Sequence, residues 1–434
     1  MVITRKAVRR PPKIAMYDPS GSGGITHYTF ELATALVEHG CRVTVITSED
    51  YELRHLTKNF DTWYLFKRSR LRDIYALLRR RTERLRADTP PASHPQRFAS
   101  SPASQQRFAS VLSAIRTVRK CVSLTKAAAI LLFNGTQIVH LQWIADRAAD
   151  LYFIRLLRLC RLKIVYTVHD LLPHDAHTAQ NRDYFEKVYR QADRLIVHSH
   201  NNKREMLELF DIESDTVQVI PHGSHRVSFA YQDTQKDEAR ARLGLPSHVD
   251  VILFFGLIKQ YKGLEYLLQA FDVVVKKYGH AKLVIAGKID DSNSDMYRHY
   301  SMMLEQCARR ADILVENGYV PVDSVSSYFA AADIVVLPYT KASQSGVLLS
   351  AYAAGKPVVV TETGSLSETV RHGVSGFVVP PQNADALADA ILQILTDSTL
   401  KEKMGAEASR LARTVYSWQH IAKLTLHLYE GVGS

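Results

Sequence analysis

Cysteine is scarce in this chain and never clustered: Cys41, Cys121, Cys160 and Cys307 lie far apart, with no C-x-x-C pair. That spacing argues against a zinc site or a disulfide framework and reads as small buried hydrophobes of a reducing cytosol. Long apolar runs are missing too. No window approaches about 18 uninterrupted apolar residues, and Ala127–Phe133 is only a short run, so no bilayer-spanning helix is expected. Behind the basic N-terminal stretch MVITRKAVRRPPK there is no apolar segment, so no secretory leader is expected. The Walker A pattern G-x-x-x-x-G-K-[ST] and the dinucleotide pattern G-x-G-x-x-G are both absent, so there is no P-loop of that kind and an NAD site is only weakly supported. Finally, PYTKASQSGVLLSAYAAGKPVVV, residues 338–360, has the look of an anion-binding turn feeding a helix, yet it contains no carboxylate.

What is present fills two cores. With 434 residues and 46% hydrophobic content, a pair of domains of about 200 residues each is expected. Lys and Arg outnumber Asp and Glu by 55 to 44, for a formal net charge of +11, which points to an anionic partner: nucleic acid, an anionic membrane or a phosphorylated substrate. Much of the charge sits in FKRSRLRDIYALLRRRTERLRA, residues 66–87, where Leu71, Ile74, Leu78 and Leu85 recur at helical spacing. This is a basic amphipathic helix, read either as a solvated face or as a membrane-surface element in which Arg79, Arg80, Arg81 and Arg84 meet anionic lipid. A nucleic-acid surface would need interleaved aromatics, and the segment offers only Tyr75. The tandem PASHPQRFASS and PASQQRFAS that follows is expected to be a flexible loop over 88–110.

Both halves alternate short β-branched runs with helical patterns, the signature of parallel sheets flanked by helices. KIAMYD, RVTVITSE, QIVHLQW, KIVYTVHD and RLIVHS are the strands of the first half. VDVILFFG, AKLVIAG, DILVENGYV, DIVVLPY, KPVVVT and GFVVP are those of the second. A strand ending in Pro221-His222-Gly223 marks the boundary, so residues 1–221 and 222–414 form the two domains and 415–434 a final helix.

Ligands of open α/β sheets bind outside the carboxyl ends of the strands. At those ends stand the glycine turn at Gly23 and Gly24, and His140, His169, His198, His200 and His222. The first strand of the second half is followed by a loop bracketed by Lys259 and Lys262, and the turn TKASQSG places the amides of Gln344 to Val347 at a helix N-terminus. Glu368 lies in a loop expected to face the same crevice. No two histidines share a helix face as in H-E-x-x-H, and Asp290, Asp291 and Asp295 read as a solvated loop rather than a metal clamp.

Seven stretches in this order resemble the retaining glycosyltransferases of family 4: GGI-x-x-Y (Gly23, Gly24, Ile25, Tyr28), His169-Asp170, Pro221-His222-Gly223, FG-x-I-x-x-YKGL (255–264), LPY-x-x-x-x-QSG (337–346), GKPVV (355–359) and G-x-L-x-E-x-V-x-x-G-x-x-G (364–376). The resemblance spans nearly the whole chain. It implies a GT-B fold, that is, two facing Rossmann-like doubly wound parallel-sheet domains with a C-terminal helix crossing back to the N-terminal domain.

By that resemblance the second domain holds a nucleotide-diphosphate sugar as substrate, through Gly24, Lys259, Lys262, Gln344, Ser345, Gly346, Val347, Ser350 and Glu368. A glycan or lipid-linked acceptor falls to Gly23, Ile25, His140 and Asp170, with His169 and Lys262 at the reacting centre. Neither a resident cofactor nor a metal is expected. The family's Arg position falls at Leu257, and its E-x(7)-E pair falls at Ala342 and Ser350, so this chain has the QSG form of that turn. The expected location is the cytoplasm, with the inner face of the plasma membrane as the surface for the basic helix. Two alternatives stay open at this stage: an epimerase or phosphorylase on the same fold, and a non-catalytic family member that acts as a partner protein.

Overall fold

The computed structural model describes residues 12–66, 102–144, 146–172, 178–224 and 235–432. Thirteen strands are found among the described residues. In the first half they are β1 (Lys13–Asp18), β2 (Arg42–Ser48), β3 (Asp61–Phe66), β4 (Ile138–Leu141), β5 (Lys163–Thr167), β6 (Arg194–Val197) and β7 (Val217–Val219). In the second they are β8 (Asp250–Phe255), β9 (Ala281–Ala286), β10 (Ile313–Glu316), β11 (Ile334–Leu337), β12 (Val358–Thr361) and β13 (Gly376–Val379). Helices α1 (Gly24–Glu38), α2 (Pro102–Phe133), α3 (Arg147–Leu159), α4 (Ala179–Tyr189) and α5 (His200–Leu209) flank the first set. With the second set run α6 (Lys236–Arg242), α7 (Leu264–Tyr278), α8 (Ser294–Ala308), α9 (Val322–Ala331), α10 (Gly346–Ala353), α11 (Leu366–Thr369), α12 (Ala384–Thr396), α13 (Ser398–Arg413) and α14 (Trp418–Val432).

The strands form two all-parallel sheets, ordered β3-β2-β1-β4-β5-β6-β7 and β10-β9-β8-β11-β12-β13. Strand order reverses at β1/β4 in one sheet and at β8/β11 in the other, and crevices open at such switch points. Strands such as VVVT and IVVL are buried at every position because helices cover both faces.

The last helix closes the first domain. Trp418, Ile421, Ala422, Leu428, Tyr429 and Val432 of α14 join Ile14, Met16, Tyr28 and Leu32 in one apolar cluster. Gly223 abuts this helix so closely that a Cβ there would lie 2.5 Å from the Trp418 indole.

Two features differ from the sequence expectations. The edge strand β3, DTWYLF, was not anticipated, and it takes Phe66 out of the expected basic helix. The rest of that helix, including Arg79, Arg80, Arg81 and Arg84, lies outside the described residues. The expected loop over 88–110 is helical from Pro102 onward, because the second tandem copy sets proline at a helix start and follows it with alanine, glutamine and arginine.

Candidate functional site

Lys262 anchors the second domain's crevice. After β8 the chain turns at Gly256, whose φ of +99° suits only glycine, and a Cβ there would sit 3.3 Å from Lys262 Nζ and 3.4 Å from Val347 Cγ2. Gly263, at φ +66°, leaves no room for a Cβ, which would fall 2.1 Å from the Pro338 carbonyl oxygen at the end of β11. Two glycines therefore pack the YKG turn, the start of α10 and the end of β11 together. Lys262 is only 8% exposed. Its Nζ donates to the Tyr339 hydroxyl at 3.0 Å, and no carboxylate lies within ion-pair distance of it among the described residues. Lys259, by contrast, pairs with Asp290 at 3.2 Å, so the charge expected on a donor diphosphate is already engaged.

The acid-free turn divides its work. Ser345 is the N-cap of α10, its Oγ accepting from the Leu348 amide at 3.4 Å, while the amides of Gly346 and Val347 belong to the first turn, which has no intrahelical acceptor for them. Ser350, expected on the nucleotide-diphosphate sugar, is buried and donates to the Gly346 carbonyl at 3.0 Å, a mid-helix serine bonding back one turn. Gln344 behaves differently, because its Oε1 is buried with no hydrogen-bond partner. It lines an interdomain cavity of about 180 Å³ with Ser345, His198, His222, Glu368 and Tyr416.

In the first domain, three of the five strand-end histidines meet. His169 Nδ1 lies 3.2 Å from His198 Nε2, and the His198 and His222 ring centroids are 5.3 Å apart. Tyr28 packs against all three at 4.7 to 5.4 Å, edge-on to His169 and His222 and tilted to His198. Burial holds His169 well below the usual imidazole range and lowers His198 to about 4, so both are neutral. Asp170 follows His169 at the end of β5, half-buried.

His140 does not join them. It is fully buried, with one ring nitrogen 2.6 Å from the Tyr429 hydroxyl and the other 2.7 Å from Thr167 Oγ1. Burial lowers it to about 3, and its role is to tie α14 to the sheet rather than to meet an acceptor. His200 stands at the start of α5 and lines the interdomain cavity with His198 and His222.

The glycine turn carries an anion, and it is the chain's own. The Gly23 amide donates to Glu52 Oε1 at 2.7 Å, and His27 Nε2 lies 2.8 Å from the same oxygen. Tyr319 of the second domain donates to the other oxygen at 2.9 Å. Burial raises the Glu52 carboxyl, but His27, Tyr319 and Gly23 outweigh it and hold the group below its usual value. Gly23 and Gly24 are exposed, Ile25 half-buried, and a Cβ on either glycine would meet nothing within 4 Å. Glu368 likewise crosses the cleft: its carboxylate accepts from the His200 amide at 2.9 Å and the Asn201 amide at 2.5 Å, on the positive end of α5. Glu368 also lines the interdomain cavity beside Gln344 and Ser345, in the crevice it was expected to face.

Two residues escaped the sequence reading. Glu52 sits in a short 3₁₀ turn, Glu52–His55, with no motif to mark it. Gln142, one residue past β4, is fully buried with both amide atoms unpartnered. Its place at the end of QIVHLQ was the signal that could have found it. Among the described residues no group of three His, Cys, Asp or Glu side chains is placed to hold a metal, and no helix is long and apolar enough to cross a membrane.

Residues 22–225 match the family described as glycosyltransferase family 4, and residues 249–397 match glycosyl transferases group 1. An uncharacterised glycosyltransferase of Methanocaldococcus jannaschii is 30% identical over 63% of this chain and 70% of its own length. A D-inositol 3-phosphate glycosyltransferase of Corynebacterium aurimucosum is 28% identical over 62% of this chain and 64% of its own length, so the chain spans less than two thirds of that relative. Among solved structures, the Anabaena protein HepE, in complex with UDP, superposes with a TM-score of 0.70 at 16% identity, covering 96% of this chain and 100% of that one. The fold is therefore GT-B.

Proposed function

This chain belongs to glycosyltransferase family 4, and we propose that it moves a sugar from a nucleotide-diphosphate sugar to a glycan or lipid-linked acceptor, retaining anomeric configuration and using no metal. The observation that carries the reading is Lys262, a buried cation with no carboxylate partner among the described residues, set beside the N-terminus of α10. A buried charge without a counter-ion is costly, and an incoming diphosphate would supply one. When the bond from the anomeric carbon to the diphosphate breaks, its electron pair goes to the leaving oxygen. Lys262 and the first-turn amides of α10 then stabilise the charge that develops there. Gln344 supplies neutral hydrogen bonds where the family's acids are replaced, and its buried unpartnered Oε1 supports that role. The UDP in HepE supports a nucleoside diphosphate as the leaving group. A cytoplasmic protein whose basic segment around Arg79, Arg80, Arg81 and Arg84 rests on an anionic membrane surface would meet a lipid-linked acceptor there.

A thermal-shift screen with UDP, GDP, ADP and dTDP in the presence of a chelator tests donor class and metal independence together. One nucleotide is expected to raise the melting temperature of the protein, since it binds only the folded state, and Lys262→Ala should weaken that shift. Failure of all four to shift it would overturn the reading.

A further inference from the structure

The hydrogen positions around His169 are dictated from the far end of a chain of contacts. The carbonyl oxygen of Ile220 can only accept, so His198 Nδ1, 3.0 Å away, carries a hydrogen. His198 is neutral, which makes its Nε2 a lone pair. His169 Nδ1, 3.2 Å from that nitrogen, must therefore be the donor. What remains on the neutral His169 is a lone pair at Nε2, which is buried and has no partner in the structure. The rings are held in these orientations by packing, with Tyr28 against His169 at 4.7 Å and an interplanar angle of 84°, and Trp418 beyond Tyr28 at 5.1 Å.

We propose that His198 is a positioning residue that reads the Ile220 carbonyl at the interdomain crossing and locks His169 as the Nδ1–H tautomer. His169 Nε2 then accepts a hydrogen bond from a hydroxyl of the bound sugar or acceptor, and it cannot donate one to the departing diphosphate. The inference rests on the reading of His169 as a substrate contact. It gives His169 the work of orienting a hydroxyl-bearing ligand and leaves stabilisation of the leaving group to Lys262. Because Ile220 immediately precedes Pro221-His222-Gly223, the same contact ties the imidazole's orientation to the backbone between the domains.

Nitrogen-15 NMR of histidine-labelled full-length protein reads the tautomer without substrate, with the His169 signals identified by their loss in His169→Gln. The expected spectrum shows Nδ1 protonated and Nε2 bare. His198→Gln, whose amide can donate to Ile220 and accept from His169, should preserve both the tautomer and the rate. His198→Leu should mix the tautomers and lower kcat on the order of tenfold, with the donor KM little changed. A protonated Nε2 in the unsubstituted protein, or equal tautomers and rates in the Leu and Gln variants, would overturn the proposal, and the first of these needs no variant to fold. Full transfer by His169→Ala with the tautomer as expected would instead show that the substrate-contact reading is the part in error.

Discussion

His140 and His198 are histidines that the fold keeps neutral, and this makes stability depend on pH in a stated direction. Burial depresses them to about 3 and about 4 respectively, below the ordinary imidazole value that the unfolded chain regains. The unfolded state thus binds the proton first as pH falls below about 6.5, and stability present above that pH is lost on the way down. Each is expected to cost about 2 kcal/mol between pH 7 and pH 5. Unfolding midpoints measured at both pH values check this, and His140→Asn should flatten the slope. Gln344 is a second residue whose surroundings decide its role. Replacing it with Ala should raise the donor KM about fivefold while leaving the melting temperature nearly unchanged, since its buried Oε1 has no partner in the chain to lose. Equal KM values would remove Gln344 from the donor site.

At the scale of elements, a close backbone approach at Gly263 holds the crevice. Gly263 joins a left-handed φ to contact with the Pro338 carbonyl, so Gly263→Ala is expected to cost about 1–3 kcal/mol and to displace Lys262 from α10. Thermal unfolding and nucleotide affinity should fall together in this variant, and an unshifted affinity would mean that the turn tolerates the Cβ. The sequence made these elements legible because their signals are short-range: β-branched strand, glycine turn, then helix. It hid β3, whose alternating DTWYLF reads weakly beside the arginine-rich segment that follows. It also hid the helical start at Pro102, where Ser, Pro and Gln composition suggested a loop while alanine and arginine at a proline-led start favoured helix.

At the scale of the molecule, the two domains hold each other through contacts that no local pattern announces. Glu368 caps α5 from across the cleft, and Tyr319 reaches Glu52 beneath the glycine turn. Which carboxylate meets which amide depends on how the domains face one another, and that is why the contact of Glu368 with α5 was not legible in the sequence. The order of seven motifs, by contrast, made both sheets readable, and Gly223 stands in the recognisable PHG stretch even though its contact with Trp418 is long-range. Glu368→Ala should leave two α5 amides without their acceptor and speed hydrogen exchange at His200 and Asn201, with no change inside either sheet. Unchanged exchange there would remove Glu368 as an interdomain tie.

On the proposed function, Lys262 is the buried cation that receives the leaving diphosphate. The direct measurement is the rate of sugar transfer by Lys262→Ala against the unsubstituted enzyme, under saturating donor, once the nucleotide screen has named the donor. The predicted result is a loss of about 10²–10³ in kcat, corresponding to roughly 2.7–4 kcal/mol of transition-state stabilisation, in a variant that keeps its fold. Turnover within about twofold of the unsubstituted enzyme, well under 1 kcal/mol, would contradict the account.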